Sequence, residues 1–283
     1  MTTTSGATSP AARAAEDFLR SFHDRNPGFQ SAGVEKALTR DGRTSHAVLA
    51  AHVPGARRVL DLGRADGALL ELLAGQGAGV LAGIDLSEGE LALARRRPSL
   101  ADADLRQGRA QELPFADNSF DAVVSHMALM LMSDPEQVTA EAARVLAPGG
   151  TPALAVGGGA VPGEGADLFL TPAVPYFRAA PPERGLPRLG DRRTRGREGL
   201  DALLSPLGFT ALSWRTVVIG MDGTPSEVWS ALTSTYYDME VLDEERTADL
   251  RAAFLDRAAA LTGSDGQLPC GMRVNVAAAR WEP

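Results

Sequence analysis

The stretch RVLDLGRADGALLELLAG (Arg58–Gly75) puts an acid, Asp61, near the end of a short apolar run, then a turn of small residues and a helix-like pattern. Bare backbone between a strand and a helix lets a ligand approach closely, and the helix start offers unpaired N–H groups. Three kinds of ligand use this device. A phosphate loop needs GxxxxGK[ST], and no lysine stands here; Lys36 is the single lysine of the chain. A dinucleotide pyrophosphate needs GxGxxG, whereas counting from Gly63 gives Gly63, Ala65 and Ala68. A ligand without phosphate is the third kind, and the turn leaves it open.

Other residues carry possible chemistry. His126 ends an apolar run, and an imidazole there is either a general base or a packed, hydrogen-bonded side chain. Tyr236, Tyr237 and Asp238 form a dense polar-aromatic cluster, read as part of a substrate pocket or as a helix end packed on a sheet. Met127, Met130 and Met132 suit a core or an adaptable pocket. Cys270 is the only cysteine, and the four histidines form no HxxxH or HExxH pattern, so no metal site is expected.

The elements that must position these residues alternate. Apolar runs at Val59–Leu62, Gly79–Asp85, ADLRQG, FDAVVSHMALMLM and TPALAVGG read as strands. Between them Ala68–Ala74, SEGELALARRR capped by Ser87, and DPEQVTAEAARVLAPGG closing on Gly149–Gly150 read as helices. This rhythm, with continuously apolar strands, predicts an α/β doubly wound, mostly parallel sheet covered on both faces. GFTALSWRTVVIG and Gly271–Trp281 are expected as the last strands, with helices over Pro225–Tyr237 and Asp243–Leu261 between them. Residues 1–10 are expected to be disordered, with helices over Ala11–Phe22 and Ser45–His52. Residues 160–195 break the rhythm. The segment PYFRAAPPERGLPRLGDRRTRGR reads as a long loop, either a solvated insertion or a lid whose arginines meet an anionic substrate.

With 283 residues, 44% of them hydrophobic and 23% charged, the chain is a soluble globular type with a substantial core. A net charge of -8 argues against a general nucleic-acid or anionic-membrane binder. No apolar signal core or spanning stretch is evident, so a cytoplasmic location is expected.

VLDLGRADG resembles motif I of the class I S-adenosylmethionine (SAM)-dependent methyltransferases, [V/L]LD[L/V]GCGxG, with Arg64 for the usual Cys and Ala65 for the central Gly. GIDLSE, QGRAQELPFADNSFDAVVS, SHMALMLM and EAARVLAPGG resemble later segments of that family, in order, over residues 55–157. The resemblance implies a seven-stranded Rossmann-like sheet with an N-terminal helical lid (residues 1–54) on a SAM-binding domain (residues 55–283). Insertions at about 160–197 and 221–268 would build an acceptor-side cap. It implies a cofactor site of Asp61, Gly63, Arg64, Ala65, Gly67, Asp85, Leu86, Ala110, Gln111, Ser125 and His126, with Arg43 meeting the SAM carboxylate. Asp85 would accept from the ribose hydroxyls and Asp61 would organise the methionine amine. Arg109 stands for an acid and is assigned no adenine contact. His126, Tyr236, Tyr237 and Asp238 are the catalytic candidates. Ala65 is expected to keep a right-handed or extended backbone.

The activity this resemblance implies is methyl transfer to an O, N or C nucleophile of a small molecule, with release of S-adenosylhomocysteine (SAH). By analogy the enzyme belongs to bacterial specialised, natural-product or antibiotic metabolism, as a monomer or homodimer with no nucleic-acid or membrane partner. Two alternatives stay open: a SAM-binding enzyme of another reaction such as cyclisation, and a non-catalytic SAM-binding partner protein. A NAD-dependent oxidoreductase is disfavoured by the missing glycines.

Overall fold

The computed structural model describes residues 8–29 and 37–283. The disorder expected for residues 1–7 lies outside them. From Ser9 on the chain is ordered: its hydroxyl accepts the Ala12 N–H at 3.1 Å, and Pro10 opens helix α1 (Pro10–Arg25).

Seven strands form one sheet in the order β3-β2-β1-β4-β5-β7-β6. Strands β1 (Arg58–Leu62), β2 (Val80–Asp85), β3 (Asp104–Gln107), β4 (Phe120–His126) and β5 (Leu146–Ala160) run parallel. β6 (Phe209–Gly220) and β7 (Gly271–Trp281) close the edge, and β7 is antiparallel to both its neighbours. Parallel neighbours need crossovers, supplied by α3 (Ala68–Gly75), α4 (Glu88–Ala94) and α5 (Pro135–Val145). The Ser87 hydroxyl caps α4 by accepting from Glu90 N–H at 3.1 Å. α5 closes earlier than expected, at Val145, and the chain passes straight into β5, which contains Gly149–Gly150.

The pleat splits the apolar strand residues between two cores. Val59, Val124 and Val276 pack under α2 (Ser45–Ala50) and α3, together with Leu49 and Leu70. Leu60, Leu62 and Val123 pack on the other face with α5 and α7 (Arg197–Leu204), through Val138 and Leu200. Each such fully buried side chain contributes about 1.5–3 kcal/mol. Asp61, between Leu60 and Leu62, therefore faces the first core and is 2% exposed. The chain steps outward from β1 to β3 and then crosses to β4, so β1 and β4 flank a topological switch point with a crevice at their carboxyl ends.

Within the stretch that breaks the rhythm, Gly165–Arg178 is a helix, α6, and its last turn takes in Pro175–Arg178, the start of the segment read as loop. Pro172 and Pro175 each remove a helix hydrogen bond, but Ala166, Phe169 and Ala173 share one fully buried stripe, and that burial carries the helix. α6 packs with α8 (Pro225–Thr233) and α9 (Glu244–Ala259) around Phe169, Trp229 and Phe254, a third core outside the sheet. α8 ends at Thr233, short of the expected Tyr237, and Tyr237–Val241 turns as a short 3-10 helix.

Candidate functional site

A cavity of about 890 Å³ opens at the switch point. Its floor is the turn after β1. Gly63 and Gly67 adopt φ of +69° and +84°, and Ala65 joins them at +47°. The right-handed or extended conformation expected of Ala65 is thus corrected. The turn keeps the left-handed geometry that suits a glycine, and the extra methyl costs about 1–2 kcal/mol. Two hydrogen bonds hold it there: Asp85 Oδ2 accepts from Ala65 N–H at 2.9 Å, and Arg64 Nη1 donates to the Ala65 carbonyl at 2.8 Å. Behind the turn Arg97 pairs with Asp66 and donates from Nε to the Asp66 carbonyl at 2.7 Å. The motif singles out neither Asp66 nor Arg97, since their pairing is set by folding rather than spacing.

Arg64, standing where a Cys is usual, is 3% exposed. Its chain lies over β2 at Gly83, where an added Cβ would come within 2.2 Å of Arg64 Cδ. Only a glycine at 83 leaves room for it. The guanidinium shares a buried cluster with Asp61 and Asp85, and its Nε and Nη2 have no hydrogen-bond partner. Asp61 Oδ1 is likewise buried without a partner, and burial pushes the Asp61 carboxyl up to about 8. Burial also raises Asp85, although its Oδ1 accepts from Ser87 N–H at 2.9 Å.

The cavity brings together most of the candidates. Asp61, Gly63, Arg64, Ala65, Asp85, Leu86, Ala110, Gln111, His126, Tyr236, Tyr237 and Asp238 all line it. Three expected cofactor residues do not. Arg43 turns to Asp41, its Nε donating at 2.8 Å, and lies away from the cavity. Gly67 faces the other way, where a Cβ would strike Leu100 and Ala94 at 2.7 and 3.0 Å. Ser125 is fully buried; its hydroxyl donates to the Leu62 carbonyl at 2.9 Å and accepts from the Leu129 N–H at 3.2 Å, fixing β4 to β1. A side chain on Gly63 would run into Ala128 Cβ at 2.4 Å, so this glycine serves close packing as well as the cavity.

His126 Nε2 shares a 2.8 Å hydrogen bond with Ser45 Oγ, and its ring meets that of His46 edge-on at 4.2 Å. Burial first, then the neighbouring His46, holds its pKa well below the usual histidine range. The environment opposes an imidazolium, so the geometry favours the packed, hydrogen-bonded reading over proton acceptance. Met127, next along, has φ of +57°, unusual for a long side chain and found where a wall must turn sharply.

Helix α1 contributes Glu16, Leu19 and His23 to the cavity wall. Arg109, the basic residue in place of an acid, meets Glu16 in a two-pronged pair at 2.8 and 2.8 Å. Asp24 accepts from Ser87 Oγ at 2.7 Å and Gly89 N–H at 3.1 Å, at the start of α4. His23 bridges Glu90 at 3.1 Å and the Tyr237 hydroxyl at 2.9 Å. Tyr237 also packs edge-on against Phe18 and Phe22, so it is built into this junction. Tyr236 stacks on Phe169, and burial pushes its hydroxyl up to about 12. Asp238 is exposed at the rim. Among the described residues no group of three or more metal-binding side chains gathers, and no helix is long and apolar enough to cross a membrane.

The strand order, the turn after β1 and the acid ending β2 define a class I, Rossmann-like SAM-dependent methyltransferase fold, the class whose cofactor is SAM. Residues 60–154 match the family model described as a methyltransferase domain. Among relatives, a demethylmenaquinone methyltransferase of Renibacterium salmoninarum is 44% identical over 98 residues, 35% of this chain and 40% of that one. Another, from Clavibacter sepedonicus, is 36% identical over 163 residues, 57% of this chain and 59% of that one. The chain thus spans about half the length of the relatives it matches. Among solved structures, a [4+2]-cyclase is similar at a TM-score of 0.58 and 21% identity, covering 94% of this chain and 97% of that one. The fold is therefore shared with an enzyme named for a different reaction.

Proposed function

We propose that this chain transfers a methyl group from SAM to an O, N or C nucleophile of a small, largely apolar molecule. The observation that carries the reading is the buried, unpartnered Asp61 Oδ1 beside a glycine turn inside a cavity of about 890 Å³. A buried carboxylate oxygen without a donor is costly, and a ligand ammonium supplies the missing partner. The methionine amine fits this need, and Asp85, at the end of β2, is placed for the ribose. Ala110 and Gln111 form the wall expected beside adenine, with Gln111 fixed by its Nε2 donating to the Ser133 carbonyl at 2.7 Å. The cavity is near the upper end of small-molecule pockets, about 300–1,000 Å³, so it holds two reactants side by side.

When bound, SAM supplies an electrophilic methyl on its sulfonium. The chain's part is to orient and to exclude water. α1 walls one side, as a lid would, and α6 and α8 reach the acceptor side through Phe177, Arg178 and Ala231, as a cap would. No general base is required of His126. The relatives' names point to a quinone-type acceptor, and the motif resemblance points to specialised metabolism; both share an apolar small molecule.

The test is calorimetric titration with SAM, SAH and NAD. Micromolar SAM or SAH binding with none for NAD supports the reading; absence of both overturns it. Asp85→Ala is expected to weaken SAH by about 1–3 kcal/mol, since it removes a buried acceptor. An unchanged affinity in a variant with native circular dichroism would remove Asp85 from the site.

A further inference from the structure

Twelve of the 27 arginines pair with a carboxylate among the described residues. In the segment read as an arginine-rich loop, Arg184 pairs with Asp243 at 3.6 Å, and Arg193 with Glu136 at 2.7 Å and Asp191 at 2.9 Å. Three others line the cavity: Arg178 at the end of α6, Arg195 in a short 3-10 turn (Arg192–Arg195), and Arg273 on β7. Among the described residues none of these three forms an ion pair with a carboxylate. Arg195 donates only to Met130, from Nη2 to its carbonyl at 3.3 Å and from Nη1 to its sulfur at 3.6 Å.

Two of the three converge. Met130, which holds Arg195, also accepts the Gly157 N–H on its sulfur at 3.2 Å. Two residues on, a Cβ at Gly159 would lie 3.6 Å from Arg273 Nη2. The glycine run that ends β5 (Gly157–Gly159) therefore separates two uncompensated guanidinium groups with bare backbone. A Cβ at Gly157 would sit in ordinary contact with Met130 and Met127, at 3.6 and 3.7 Å, so the run lies against these two side chains. The surrounding lining is apolar: Met127, Leu186, Leu189, Met221 and Met272. Of the acids that line the cavity, Asp61 and Asp85 lie on the far strands β1 and β2, Asp66 pairs with Arg97, Glu16 pairs with Arg109, and Asp238 is exposed.

We propose that the acceptor is an apolar molecule bearing a carboxylate, with Arg195 and Arg273 receiving the anion over Gly157–Gly159. This rests on the reading of the cavity as a methyl-transfer site and names its substrate class. Guanidinium groups that line a cavity without pairing to one of its acids are free to meet an anionic group, and charge-assisted hydrogen bonds orient it.

The experiment compares decanoate with decan-1-ol by calorimetry on SAH-saturated protein, after SAH binding has itself been measured. Decanoate is expected to bind at least about tenfold more tightly than the alcohol. The Arg195→Gln/Arg273→Gln pair is expected to erase that preference while leaving decanol and SAH binding intact. Both residues are exposed, so the fold should survive, and retained SAH binding checks this. Equal binding of acid and alcohol to the wild type overturns the proposal and leaves the SAM reading standing, as does a preference that survives in the double variant. A preference for decanoate, lost in the variant, on protein that binds no SAH supports the anion site and overturns methyl transfer instead.

Discussion

At the scale of single residues, the departures from the usual motif have separate physical consequences. A methyl-bearing residue at 65 is expected to avoid positive φ, yet Ala65 occupies +47°. Ala65→Gly removes the methyl from a left-handed position and should raise stability by up to about 1 kcal/mol, read as a shift in the urea midpoint. A destabilised variant would show that the methyl packs usefully enough to offset its strain. Arg109 is explained by its pair with Glu16, a contact 93 residues away in the chain that no motif announces. The acid ending β2 is legible in the sequence because its position follows from strand direction and ligand chemistry. The idle Arg43 is not, since a short pairing with Asp41 captures it.

At the scale of elements, α1 is joined to the body by polar groups as much as by Leu19 and Phe22. Glu16 is 7% exposed, so its pair with Arg109 is partly shielded from water. Glu16→Gln and Arg109→Gln should each weaken SAH binding if α1 must stay docked, and the double variant should lose less than the sum. A double-mutant cycle with no coupling energy would mean the pair contributes nothing to docking. The strands and crossover helices are readable from the sequence because their apolar residues alternate or recur on one face. α6 escapes such a reading because the prolines and glycines around it signal a loop. Its stripe at 166, 169 and 173 is present in the sequence, but only the third core outside the sheet gives that stripe a partner.

At the scale of the whole molecule, a buried acid makes stability depend on pH. Asp61, pushed up to about 8 by burial, binds a proton in the folded state at pH values where the unfolded chain, near 3.8, has lost it. A raised folded pKa stabilises below the unfolded value, and that contribution is lost as pH rises through about 8. Between about pH 4 and about pH 8 the Asp61 contribution to the ligand-free protein should therefore decline, and Asp61→Asn should flatten that part of the profile. A ligand ammonium at Asp61 would hold it ionised, so SAH binding near neutral pH should release a proton, measurable by titration in buffers of different ionisation enthalpy. An equally steep profile in Asp61→Asn would assign the effect to another group.

The close approach of Arg64 to Gly83 also constrains how this chain can change over generations. With a small residue at 64, a Cβ at 83 meets only Leu70 Cδ1, at 3.1 Å; with arginine at 64, it collides at 2.2 Å. The glycine must have come before the arginine on any path made of tolerated single steps. The reverse holds for leaving: position 83 is locked until 64 shrinks. Gly83→Ala alone should then be damaging, and Arg64→Cys should restore tolerance to it, making history itself readable in a two-residue epistasis.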